Sequence, residues 1–263
     1  MPVHAVEAMT SAPSSSLHFI PNKGQIVDTD GDLRPDVLYT AEYGGMKVFF
    51  KQDGVSYVFR RAQRDVEDAV ELYRMDLRFP GSNLTAEVEA SGMEKGVRNY
   101  YTAQFPEGIL DVPAYGKLVY KEIYPGTDLE FEVVDGQLKY SFVLLNGADV
   151  GAIRLWYEGA TKVWVDAEGR LQVETPRGML SEDAPVSFDL GTGEEVATNF
   201  VVDGMEVKFD VTGEWDPDWG LKIDPTLGWA TYFGGSGEEN DELFGDVATD
   251  SQGNAYSSRP LHP

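Results

Sequence analysis

An all-β protein built around an antiparallel sandwich-like domain is what this sequence predicts, and three observations carry that expectation. Apolar and polar residues alternate with period two along most of the chain from Leu17 onward. Gly, Asp and Pro interrupt the alternation every ~8–12 residues, the spacing of short strands joined by turns. Its 28 glycines and 14 prolines supply that turn chemistry.

Residues 1–16 are small, polar and rich in Pro and Ser, and read as a disordered leader without the basic start and apolar stretch of a secretory signal. Met46 to Phe50 and Val55 to Phe59 then form a hairpin with Asp53-Gly54 at its turn. Between Arg60 and Leu77 two periods compete. Val66, Val70, Tyr73 and Leu77 keep helical spacing, whereas Tyr73, Met75, Leu77 and Phe79 alternate as a strand does. The reading adopted is a polar connection to Asp68, with a short helix as the alternative within it, and a strand afterwards.

The strongest local signal is a second hairpin. Leu129, Phe131 and Val133 alternate with Glu130 and Glu132, Asp135-Gly136 supplies a tight turn, and Leu138, Tyr140 and Phe142 return. Short alternating runs follow at 153–157, 162–165, 170–175, 186–190, 196–202 and 206–211. The sandwich-like domain is therefore placed at 17–227, either as one unit or as two lobes split near 100–115.

Composition excludes several kinds of chemistry. With no cysteine there are no disulfides, thiolate metal sites or cysteine nucleophiles. His4, His18 and His262 all lie near the termini, which disfavours multi-histidine metal centres and Ser-His-Asp catalysis. No apolar run approaches the length of a transmembrane helix, so membrane insertion is not expected. Forty-five acids against 21 bases give a net charge of −24, which repels nucleic acid and anionic membranes. Residues 181–250 concentrate that charge, with 18 acids and only Lys208 and Lys222 against them. Such a surface is either solubilising or attractive to divalent cations and basic partners.

Several segments together resemble one bacterial family, the uncharacterised β-rich domain that precedes SBBP repeats, a seven-bladed β-propeller motif. Phe19, Asn22, Gly24 and Gln25 match its "F-x-x-N-x-G-Q" start. Tyr124-Pro125-Gly126-Thr127-Asp128-Leu129 is similar to its "Y-P-G-I-D-L". Gly147-Ala148-Asp149 with Ile153-Arg154-Leu155 resembles "P-G-A-D…I-R-L", with Asn146 in place of the proline, and Ile223-Asp224-Pro225-Thr226-Leu227 resembles "I-D-P-T-L". Residues 228–256, including Thr231-Tyr232-Phe233-Gly234-Gly235-Ser236-Gly237, are similar to one incomplete SBBP-type repeat, and 257–263 form a tail that breaks the pattern. The resemblance implies an extracellular or cell-surface setting, no known enzymatic activity and no catalytic residues. One repeat corresponds to about one propeller blade, so the chain reads as a shortened piece of a repeat protein.

Two candidate sites stand out. Asp28, Asp30, Asp32 and Asp36 occupy loop positions 1, 3, 5 and 9 of a tight turn, the hard-oxygen spacing that suits calcium. That stretch is similar to the calcium loops of integrin-type propeller repeats, departing at Leu33 where glycine is usual; the alternative is a solvated Asp/Gly turn. Trp215, Asp216, Asp218 and Trp219 combine aromatic faces with carboxylates, as a carbohydrate site does, and equally fit a turn whose tryptophans cap the core. The functional expectation is a non-enzymatic surface or secreted structural or adhesion module, stabilised by calcium if the loop binds it. It would meet protein or surface partners through exposed strand edges. A carbohydrate-binding module or glycoside-active enzyme is the alternative, and self-association through β-edges is a third.

Overall fold

The computed structural model describes residues 17–225 apart from Thr29, Gly44, Gly45, 63–69, Ala103, Asp135 and Asn146, together with 247–249 and 255–257. Among these residues the chain is antiparallel β with one short 3-10 turn at Val150–Ala152, and no helix is long and apolar enough to cross a membrane. The larger sheet orders its strands β1 (Ile20–Pro21), β2 (Val37–Tyr43), β3 (Met46–Lys51), β4 (Gly54–Ala62), β5 (Val70–Arg78), β12 (Leu155–Glu158), β19 (Glu206–Val211) and β18 (Thr198–Asp203). The second orders β17 (Glu195–Val196), β16 (Val186–Asp189), β20 (Leu221–Asp224), β11 (Gln137–Leu144), β10 (Thr127–Val134), β9 (Tyr115–Tyr124) and β6 (Val88–Met93). A smaller sheet joins β13 (Lys162–Val165), β14 (Leu171–Thr175) and β15 (Gly178–Glu182), and a ribbon pairs β7 (Arg98–Tyr100) with β8 (Ile109–Val112). β21 (Val247–Thr249) pairs with β22 (Ala255–Ser257); the rest of the repeat-like segment lies outside the described residues, as do 1–16 and 258–263.

The period-two pattern explains why the two large sheets face each other. Val48, Phe50, Val55, Tyr57, Met75 and Leu77 project from one; Leu118, Tyr120, Leu129, Phe131, Tyr140 and Phe142 project from the other; all are buried in one cluster. Rings meet edge to face between the layers, Phe50 with Phe131 at 5.0 Å and Phe142 with Phe209 at 5.9 Å. Each such pair adds ~0.5–1.5 kcal/mol to the area it buries, so aromatic packing rather than strand propensity holds the layers together. The small sheet sends Val163, Leu171, Val173 and Leu180 into the same core.

The chain passes between layers at both flanks. Phe19, just before β1, exchanges backbone hydrogen bonds of 2.8 and 2.9 Å with Tyr115 of the second sheet. On the opposite flank Ala197 separates β17 of the second sheet from β18 of the first, and its carbonyl accepts from Thr212 and Gly213 at 2.8 and 3.0 Å. Among the described residues neither sheet closes into a barrel.

Three expectations need correction. One main core cluster runs from Leu17 to Ile223, so among the described residues the two-lobe option near 100–115 does not hold; that stretch forms the β7–β8 ribbon and leads into β9. The first hairpin turns at Gln52 and Asp53, because Gly54 already pairs with Lys51. Gly54 is required there for a different reason: a Cβ would collide with the Leu77 carbonyl of the neighbouring strand. β4 runs to Ala62, past the expected start of the connection, while the alternative helix falls on residues 63–69, outside the described residues.

Candidate functional site

The Asp-rich loop follows β1 and folds back over the larger sheet. Its Ile26 is buried with Val37, Phe49 and Val58, on the face opposite the main core. Asp28 forms the turn itself: its Oδ1 accepts from the N–H groups of Asp30 and Asp32 at 3.1 and 2.8 Å. Asp36 instead accepts from Nε and Nη2 of Arg34, both at 2.8 Å, and this guanidinium holds its carboxyl below the usual range. Asp30 and Asp32 are exposed. Among the described residues no three His, Asp or Glu side chains are grouped to hold a metal ion. The aspartates are neighbours in a turn that hydrogen bonds and one arginine stabilise.

The Trp215 to Trp219 turn has two unlike ends. Trp215 is partly buried against the core, whereas Trp219 is 64% exposed. Its indole lies over Gly191, where any Cβ would collide with the ring. The carboxylate of buried Asp189 ties the two loops together. Oδ1 accepts from the N–H groups of Gly191 and Thr192, and Oδ2 from that of Asp216, each at 2.8 Å. These backbone donors, that of Asp216 foremost, hold the Asp189 carboxyl below its ordinary pKa. Asp216 in turn accepts from Asp218 N–H at 3.0 Å. Leu190, 42% exposed, follows Asp189 and donates its N–H to Gly220 at 3.0 Å. The two tryptophans therefore differ in exposure, and one aromatic platform stands out on an acidic tip.

A third cluster is one that the sequence reading misses. Glu182, at the end of β15, is fully buried, and its two oxygens accept from Tyr157 at 2.6 Å and Tyr140 at 2.7 Å. These tyrosines come from opposite layers, β12 and β11, so one carboxylate joins three sheets. Burial raises the Glu182 pKa, and the two phenols oppose that rise by stabilising the charge. Buried Tyr57 lies near the same carboxylate, but its hydroxyl has no hydrogen-bond partner among the described residues. The available signal is Glu182 two residues after Leu180, on the inward side of an alternating strand.

The other conspicuous polar residues are joints as well. Asn22 donates to the carbonyls of Arg34 and Val37 at 2.7 and 2.9 Å and accepts from Gly24 N–H at 3.0 Å. Gln25 reaches back to Pro21 O at 2.7 Å. Asp128 accepts from Glu122 N–H at 2.8 Å, where β9 bulges against β10 and Glu122 has a φ of 48°, and from Lys121 Nζ. Asp149 caps the 3-10 turn through Gly151 N–H at 2.9 Å. On the outer face of the larger sheet Asp76 binds Arg74 and Arg78 at 2.7 and 2.9 Å.

Among the described residues the surface carries open grooves. One of about 540 Å³ is lined by Asn22, Arg34, Tyr39, Gln52 and Val88 among others; one of about 580 Å³ lies beside Trp164, Val202 and Met205. Among the described residues neither lining includes a carboxylate or histidine.

Residues 19–226 match a sequence family described as a domain of unknown function, DUF7948. No curated protein and no solved structure shows a significant match. Because the family match extends over well over half of the chain, this protein belongs to the DUF7948 family.

Proposed function

We propose that this domain is a non-catalytic structural and interaction module of a secreted or cell-surface protein. The observation that carries the reading is how the conspicuous polar side chains are used. Asn22, Gln25, Asp128, Asp149, Glu182 and Asp189 are each committed to holding a loop or a sheet in place. A domain organised this way presents a fixed surface. The outer edge of β6 pairs with no strand among the described residues, which supports recognition by strand addition. The resemblance of residues 228–256 to a propeller-type repeat supports a further proposal, that the sandwich precedes and anchors a repeat array.

Brief protease treatment of intact producing cells, followed by peptide mapping of cells and medium, tests the setting. Peptides from residues 17–225 are expected from intact cells or medium; recovery only after lysis would exclude a surface role. A substrate panel of glycosides, esters and phosphoesters tests the rest. Saturable turnover lost in a folded Glu182→Gln or Trp219→Ala variant would overturn the non-catalytic reading.

A further inference from the structure

We propose that the acidic tip around Trp219 docks a basic peptide segment, with a lysine or arginine side chain packed on the exposed indole face. The inference deepens the interaction-module reading, on which it rests, by naming the chemistry of a partner. Three features support it. Trp219 is 64% exposed while its indole already lies against Gly191, so the platform is presented without a partner. The Asp189 carboxylate sets the relative position of its two loops through Gly191, Thr192 and Asp216. Those loops also carry exposed Glu194, Glu195, Glu214, Asp216 and Asp218, with no Lys or Arg at 190–195 or 214–219.

Charge selects the occupant. A cation over an indole is attracted by the ring face, and nearby carboxylates add a hydrogen-bonding shell. A second copy would bring two such tips of like charge together, and nucleic acid or an anionic lipid surface would be repelled. An uncharged glycan would use the indole but would gain nothing from the excess of carboxylates.

Anisotropy titrations with fluorescein-labelled octa-arginine test the proposal on the full chain, beside a titration with cellohexaose. The wild type is expected to bind octa-arginine with an affinity that falls as salt is added. Trp219→Ala should weaken binding about tenfold and Trp219→Phe by less. The double variant Asp216→Asn/Asp218→Asn should weaken it comparably while leaving the turn intact, since a side-chain amide at position 216 keeps an oxygen for the N–H of residue 218. Glu87→Gln/Glu89→Gln, at the far edge of the second sheet, removes the same charge and should change affinity less than about twofold. Circular dichroism confirms that each variant is folded. Absence of binding, an equal loss in the Glu87/Glu89 variant, or cellohexaose binding that depends on Trp219 while octa-arginine binding does not would each overturn the proposal. None of those results would touch the cell-surface assignment, which protease accessibility tests separately.

Discussion

The Tyr–Glu cluster makes a prediction in which three chemically identical substitutions diverge. Tyr140→Phe, Tyr157→Phe and Tyr57→Phe each remove one buried hydroxyl from the neighbourhood of Glu182. At 140 and 157 that hydroxyl donates to the carboxylate at 2.7 and 2.6 Å. Losing a hydrogen bond to a charged group costs ~1.5–3 kcal/mol, because the buried carboxylate is left short of a donor. For a domain of this size, 2 kcal/mol corresponds to a fall of about 4–8 °C in melting temperature. At 57 the hydroxyl is buried and unpartnered, so its removal relieves a desolvated dipole. Tyr57→Phe is therefore expected to be neutral or to stabilise by about 1 kcal/mol. Urea unfolding followed by tryptophan emission measures all three, and the Tyr140→Phe/Tyr157→Phe double variant should lose less than the sum, because both act on one carboxylate. Equal destabilisation at all three positions would refute the assignment of Tyr140 and Tyr157 as the donors.

The remaining predictions concern pH, loops and calcium. Burial raises the Glu182 pKa, so this group's contribution is fully present below the ordinary glutamate pKa and lost as pH climbs through the raised native value. The stability of Glu182→Gln relative to wild type should accordingly improve between acidic and neutral pH, and a flat difference across parallel thermal melts would contradict this. Asp189 has the opposite sign: its depressed pKa gives stability above the ordinary aspartate value that disappears as pH falls through the native value. Asp189→Asn should flatten that part of the acid limb in the same melts. Asn22→Ala breaks bonds to the Arg34 and Val37 carbonyls and should cost ~1–3 kcal/mol by urea unfolding. Gly191→Ala must displace the Trp219 indole, which acrylamide quenching of the tryptophan emission will register. Because Arg34 already pairs with Asp36, millimolar calcium should leave the melting temperature unchanged; a rise reversed by EDTA and lost in Asp28→Asn would show that the loop binds calcium.

The parts of the fold legible in the sequence are those in which neighbouring residues settle the geometry. The 127–144 hairpin pairs Leu129 with Phe142, Phe131 with Tyr140 and Val133 with Leu138, the register its alternation and Asp-Gly turn imply. Elements whose partners are remote in sequence are hidden. β1 is two residues long and exists because β2 pairs with it, and β20 is inserted between β11 and β16 after an excursion of nearly eighty residues. No local period announces such strands. The absence of two lobes has the same origin: the core that bridges residues 100–115 is assembled from contacts across the layers, such as Phe50 on Phe131.

The candidate sites are harder to read for a related reason, which is that spacing reveals where carboxylates are but not what they face. Asp28, Asp30, Asp32 and Asp36 are regularly spaced, yet Asp36 is claimed by Arg34, only two residues away. Arg34 and Asp36 lie in one turn closed by Val37 N–H on the Arg34 carbonyl at 3.2 Å, which brings the guanidinium back onto the carboxylate. Glu182 shows the converse. It is one of 45 acids, yet a glutamate on the inward side of an alternating strand must find donors or lose its charge. In a chain this acidic, the absolute number of carboxylates says little about binding. What distinguishes Glu182 and Asp189 is that each is buried and also draws a donor from a segment distant in sequence. What separates Asp216 and Asp218 is an exposed indole beside them with no basic residue on either loop. Selectivity toward a basic partner would accordingly reside in Trp219 and its two neighbours rather than in the net charge, and for that reason the charge-matched substitutions at Glu87 and Glu89 are the decisive comparison.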